Sequence, residues 1–287
     1  MGDRADRLSA SGMGAYRNCP LSWWLTYVEE HPAKAPTWEM VLGTFVHRIL
    51  ERLMAAEPWM RTLDEAKRIA RDVWEGPDGE AIWGSLGPEV LIPCDEDSVN
   101  EDLHRFRWEA AWCLEKFVAL AYPHELEVVG VEVNLACELG GVPFVGFADL
   151  VADDVIDYKT GEMPETGKPW SAQKAESKLL QPLLYAAALR EQGIRVNRGR
   201  LLFLSPHGRT GWLDAEATDE ALDGAVAALL VVWRLTRRDL ARGHAEAHAG
   251  PLCGWCDHLE VCDEGQRAVR VRIRQGKNVG PGAEVCG

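Results

Sequence analysis

The chain has 287 residues, 47% of them hydrophobic, with 31 Lys and Arg against 45 Asp and Glu and a formal charge of -14. That composition excludes a disordered or fibrous chain, and the length suits one large domain or a core carrying insertions. A balance this acidic argues weakly against a polyanionic partner, unless cations are gathered locally.

Ser11 is placed to cap a helix through Met13, Tyr16 and Arg17, and a second helical stretch starts at Pro20 and stops before His31 and Pro32. From Met40 to Ala56 the apolar residues Val41, Leu42, Phe45, Val46, Ile49, Leu50 and Leu53 recur at i, i+3, i+4 and i+7, which predicts an amphipathic helix. Residues 62–75 and 101–121 are predicted helices around a Gly-, Pro- and Asp-rich loop at 76–98. Residues 57–121 thus read as an acidic helical insertion.

The period then drops to two. Residues 126–135, 142–151 and 155–160 are β-branched-rich runs separated by Gly-Gly and Asp-Asp turns, which predicts a three-stranded antiparallel meander. A helix over 179–192, a buried strand over 200–204 and a long helix over 219–242 follow. The expected fold is α/β, a single domain over 1–287 with its core at 122–215. The longest apolar run, Ala225–Trp233, is far short of the ~20 residues that cross a bilayer, and MGDRADRLSA carries no secretory pattern. The expected location is cytoplasmic, where the eight cysteines (19, 94, 113, 137, 253, 256, 262 and 286) point to metal binding, catalysis or burial rather than disulfides.

The chemistry concentrates in GFADLVADDVIDYKTG, residues 146–161. Asp157 and Lys159 are two apart in a predicted strand and leave the same face. Asp149 lies on the preceding strand. An odd loop centred on Asp153 sets it opposite Asp157, whereas an even turn puts the two acids on opposite faces. Carboxylates directly opposite one another repel, and a divalent cation such as Mg²⁺ compensates. With a lysine beside it, such a cation suits phosphodiester hydrolysis. Glu132 on the first strand is either an additional acid near the metal or a solvent-facing residue.

Cys253, Cys256 and Cys262 form C-x2-C-x5-C between Gly and Pro residues at 250–265, and Cys19 in RNCP is the candidate fourth ligand. Spacing alone permits Zn²⁺, with His258 as a substitute ligand, or an iron–sulfur cubane. Basic residues gather without an acid at 195–209, with Arg195, Arg198, Arg200 and Arg209, and at 266–280, with Arg267, Arg270, Arg272, Arg274 and Lys277. Both stretches are candidate phosphate contacts. Trp23, Trp24, Trp170 and Trp255 are candidate stacking residues or core.

Taken together, LSASGMGAYRNCPLSWWLTY, GTFVHRIL, the Asp149–Asp157–Lys159 set and QPLLYAAAL resemble the RecB-like branch of the PD-(D/E)XK nuclease superfamily, in particular its iron–sulfur members. The resemblance spans residues 9–262. It implies a restriction-endonuclease-like core with a mixed sheet flanked by helices, and a metal-dependent DNA exonuclease. His47, Asp149, Asp157 and the Tyr158 carbonyl would hold Mg²⁺ or Mn²⁺, Lys159 would be the catalytic lysine, and Gln181 and Tyr185 the helix motif beside it. The cysteine set becomes a 4Fe-4S cluster that clasps Cys19 to residues 250–265. Ala148 stands where the family usually has proline. The expected partner is DNA, as ends or single strands, with Arg195, Arg198, Arg270, Arg272 and Arg274 as contacts. No G-x4-G-K-S/T phosphate loop occurs in the chain, so any ATP-driven unwinding would come from a partner, a helicase or recombination protein being the candidate. The alternative is a non-catalytic DNA-binding or scaffold subunit of such a complex.

Overall fold

The computed structural model describes residues 3–32, 36–84, 96–165 and 169–286. In chain order the elements are α1 (Ala10–Asn18), α2 (Pro20–Tyr27), α3 (Trp38–Met54), α4 (Leu63–Glu75), α5 (Pro77–Gly84), α6 (Glu96–Ala121), β1 (Gly130–Asn134), β2 (Cys137–Leu139), β3 (Val142–Phe144), β4 (Phe147–Val151), β5 (Val155–Lys159), α7 (Pro169–Glu191), β6 (Arg198–Phe203), β7 (Gly211–Glu216), α8 (Asp219–Arg242), α9 (Asp263–Arg274) and α10 (Gly282–Cys286). They divide into two compact units, one of residues 35–135 with 146–223, the other of residues 1–34, 136–145 and 224–287. Among the described residues no helix is long and apolar enough to cross a membrane.

The first unit is an α/β fold around a five-stranded mixed sheet of order β1-β4-β5-β6-β7. β5 and β6 run parallel and every other pair is antiparallel. A parallel pair needs a crossover, which α7 supplies. Helices α3, α4 and α6 bury their apolar faces in one core, where Val46, Ile49, Leu50, Ile69, Phe106 and Phe117 meet Leu150, Ile156, Tyr158 and Leu202 of the sheet. The hydroxyls of Thr37 and Thr62 accept from the Met40 and Glu65 amides and cap α3 and α4.

Several expectations change here. Ser9, not Ser11, caps α1, accepting from the Gly12 amide at 3.0 Å. The 76–98 segment is not all loop, because α5 and the first turn of α6 lie in it. The 142–151 run is two strands in two sheets. β3 closes the β2–β3 hairpin through Gly140 and Gly141 at φ 57° and 86°, and β4 begins past Gly146 in the central sheet. Strand β7 was not expected at all; it is an edge strand with no buried residue, so its hydrophobic signal is weak. Helix α7 starts ten residues earlier than its apolar spacing indicated, since Pro169 at its first position and the polar helix formers after it show no apolar stripe.

The second unit holds α1, α2, the hairpin, α9, α10 and the greater part of α8. The Tyr16 hydroxyl donates to buried Asp239 at 2.5 Å, and Leu8 pairs with Phe144 at the hairpin edge.

Helix α7 presses on the sheet at Gly199, where a Cβ would stand 2.9 Å from the Pro182 carbonyl carbon. Gly199→Ala is expected to lower unfolding free energy by about 1–3 kcal/mol in urea titrations. Gly14→Ala, on a helix with open space around it, should be neutral or stabilising.

Candidate active site

The β4–β5 turn is the odd one. Val151 pairs with Val155 and Leu150 with Ile156, so the same register sets Asp149 across from Asp157. β5 is an inner strand between β4 and β6, which explains why Asp157 is buried. Burial first, and then the charge of Asp149, push the Asp157 carboxyl above the usual carboxylate range, while Lys159 pulls it back.

Each acid has its own partners. Asp149 Oδ2 accepts from the Tyr158 amide at 2.7 Å and lies 3.5 Å from His47 Nδ1. Asp157 Oδ2 lies 2.6 Å from Lys159 Nζ, and its Oδ1 accepts from Gln181 Nε2 at 2.7 Å. The ammonium of Lys159 is thus the contact of the buried Oδ2. The Gln181 amide also reaches the Tyr185 hydroxyl at 3.0 Å. The Tyr185 ring sits where a Cβ on Gly146 would be, 2.9 Å away, and so requires glycine at the start of β4.

His47 comes from α3. Its Nε2 is 3.0 Å from the Tyr158 carbonyl, which can only accept, so this nitrogen carries the proton and Nδ1 faces Asp149. Desolvation lowers the imidazole pKa, but the hydrogen bond and charge of Asp149, with Asp157 behind it, outweigh that and raise it.

Glu132 joins this group. It has φ 49°, a left-handed backbone that costs a non-glycine residue about 1–3 kcal/mol. Pairing of Val131 with Leu150 and Val133 with Ala148 continues on either side, so the distortion is confined to one residue. The result brings ligand atoms of Glu132, His47 and Asp149 within 4.8 Å of one another. Two carboxylates and an imidazole are a donor set suited to a hard divalent cation, and Asp157, across the β4–β5 ladder from Asp149, is not one of the three. Glu132 is exposed as well as close to the other two, so the structure keeps part of both readings, and a positive φ inside a strand leaves no trace in the periodicity. Lys178, one turn before Gln181, was missed altogether. Its Nζ lies 5.6 Å from the Phe203 ring centroid, and burial, then Lys159 and Lys174, depress its pKa.

A comparison with protein-family descriptions matches residues 7–263 to the PD-(D/E)XK nuclease superfamily. The chain belongs to that superfamily. Membership brings metal-dependent nuclease activity as the coarse assignment, and with it nucleic acid as substrate. No curated protein sequence matches the chain.

Other expected site residues lie elsewhere. Arg198 and Arg200 both pair with buried Asp154, at 2.9 and 3.2 Å, and Arg198 stands at the opposite end of β6 from Phe203, the partner of Lys159. Arg195 is exposed. On α9, Arg270 and Arg274 are exposed, and Arg272 reaches the Asn278 carbonyl. Trp23 and Trp24 are buried and Trp255 is half exposed; the side chain of Trp170 lies outside the described residues.

In the second unit Cys19, Cys253, Cys256 and Cys262 line one cavity of about 390 Å³. Backbone amides of His248, Gly250 and Gly265 point at the sulfurs of Cys19, Cys253 and Cys262, at 3.3, 3.2 and 3.3 Å. Gly254 is required between the first two cysteines of the loop, since a Cβ there would overlap the Val279 carbonyl. His258 Nε2 is 2.8 Å from the Thr26 hydroxyl. Cys113 is buried, Cys137 and Cys286 are half-buried, and Cys94 lies outside the described residues.

Glu132→Gly separates strain from ligation. Metal-free Glu132→Gly protein is expected to melt at least as high as wild type, while the rise in Tm on adding Mn²⁺ shrinks. A metal-free Tm well below wild type would show that Glu132 serves the fold.

Proposed function

We propose that the chain is a Mg²⁺- or Mn²⁺-dependent DNA exonuclease of the RecB-like branch, acting at DNA ends or on single strands in repair, recombination or fragment processing. One observation carries the reading: Asp149, Glu132 and His47 converge beside an Asp157–Lys159 pair 2.6 Å apart. His47, Asp149, Asp157, Glu132 and the Tyr158 carbonyl are the residues that would hold the cation. When bound, it supplies charge neutralisation and Lewis acidity toward the scissile phosphodiester. Lys159 would donate a hydrogen bond to the attacking water and turn the water's free lone pair toward phosphorus. Asp157 anchors that ammonium, and Gln181 and Tyr185 fix Asp157 in turn. Lys178 adds positive charge for a phosphate oxygen.

The four cysteines are proposed to hold a structural 4Fe-4S cluster. Four cysteines suit zinc as well as a cubane, and the shared cavity of about 390 Å³ has room for more than a single ion. The amide-to-sulfur hydrogen bonds are of the kind that stabilise cluster thiolates.

The nuclease reading is tested with end-labelled DNA and Mg²⁺ or Mn²⁺. Asp149→Ala, Asp157→Ala and Lys159→Ala should each lose at least about a hundredfold in cleavage rate while remaining folded. Cleavage unchanged in Asp157→Ala would sink the assignment. For the cluster, anaerobically purified protein is expected to be coloured and to contain iron and acid-labile sulfide. Cys253→Ser should lose both along with several degrees of Tm, and stoichiometric zinc in colourless protein would refute the cluster.

A further inference from the structure

We propose that Trp108 and His207 form a stacking subsite for unpaired bases of the DNA strand, with the cation Lys116 on the same face of α6; the choice of ligand rests on the nuclease reading above. Trp108 is 54% exposed. A lone exposed indole needs no explanation, but this one belongs to a built arrangement.

The His207 ring lies 6.2 Å from that of Trp108 at 34°, and its side chain is 57% exposed. It is held from below. His207 Nε2 is 2.6 Å from Oε1 of Glu109, a fully buried carboxylate. Glu109 also accepts from Trp38 Nε1 at 3.0 Å and from Arg105 Nε at 2.8 Å. Burial opposes ionisation of Glu109, but these three donors outweigh it and hold its carboxyl below the usual range. A buried charge is costly, and here it fixes the orientation of an imidazole and a guanidinium that are mostly in solvent.

The cations continue along the same helix. Arg105, Trp108, Trp112 and Lys116 fall at i, i+3, i+7 and i+11 of α6, one face extending about 16 Å. Lys116 Nζ lies 5.2 Å from the Trp112 ring centroid. Charge next to an exposed aromatic face matches phosphate next to base. Bases inside a duplex are already stacked, so only an unpaired strand can use the platform.

His207 follows β6, the parallel neighbour of the strand β5 that carries Asp157 and Lys159. The Leu204 amide donates to the Lys159 carbonyl at 2.7 Å, and Cys113 Sγ on α6 lies 2.9 Å from the Leu204 carbonyl. His207 follows three residues later, at most ~10 Å of chain away.

The test measures binding without cleavage, in an Asp157→Ala background, using fluorescein-labelled oligo-dT and a blunt duplex followed by anisotropy. Trp108→Ala should weaken oligo-dT binding at least about fivefold, with Trp108→Phe restoring most of it and His207→Ala giving a smaller loss. Duplex affinity should not change, and Trp59→Ala, at 75% exposure, should leave both affinities unchanged. The subsite is overturned if oligo-dT does not bind the parent protein, if Trp108→Ala binds it as the parent does, or if duplex affinity falls equally. It is also overturned if the substitution only converts a dimer to a monomer on size exclusion. Cleavage by wild type with Trp108-independent binding rejects the subsite alone. Trp108-dependent binding without any cleavage rejects the nuclease reading and leaves the subsite standing.

Discussion

Two carboxylates set opposite one another on inner strands of a sheet are the constraint around which the catalytic unit is arranged. Asp149 and Asp157 share one face because their turn is odd, and a bare pair of this kind is unfavourable both by mutual repulsion and by lost hydration. Every neighbouring element answers that cost. The Tyr158 amide and His47 serve one acid, while Lys159 and Gln181 serve the other. Burial and Asp149 still hold the Asp157 carboxyl above the usual range, so the fold compensates the pair only in part, and a cation would supply the remainder.

This explains how local irregularities are tolerated. A third carboxylate is brought toward an already acidic group through a left-handed residue in β1. Nothing in folding alone rewards that arrangement, since it adds strain to repulsion. Glycine at 146 admits the Tyr185 ring that steadies Gln181, so a backbone choice just before β4 reaches Asp157 through two side chains of α7. The site is thus made of ordinary secondary structure with exceptions at single residues.

That division also sets what could be read from the sequence. Helix α3 is legible because eight apolar residues repeat along one face, and His47 stands out against them. The parity of the β4–β5 turn was legible only as a pair of alternatives, which the register resolves. Glu132, the split between β3 and β4 and the edge strand β7 were not legible, because each depends on backbone geometry or on packing by a partner distant in sequence. The Glu109 cluster is of the same kind. Its members at 38, 105, 109 and 207 have no common spacing, and only the fold brings them together. The cysteines are the opposite case, since three of the four advertise themselves by spacing, and the fold adds a shared cavity and directed amides.

Net charge turns out to be a poor guide to how this chain meets a polyanion. Many of its cations are committed internally: Arg198 and Arg200 to Asp154, Arg190 to Asp219 and Asp223, Arg68 to Glu65 and Asp72. A guanidinium paired in this way must break one ion pair to make another, so it contributes little to phosphate affinity. A net charge of -14 gives DNA no overall attraction, so any attraction rests on local groups of cations. Under the proposed function, attraction must then come from contacts within a few ångströms, namely a cation between carboxylates, Lys159 and Lys178 at the phosphate, and aromatic surface for bases. The aromatic part of that set needs unpaired bases, which favours strand ends and single strands over a long duplex.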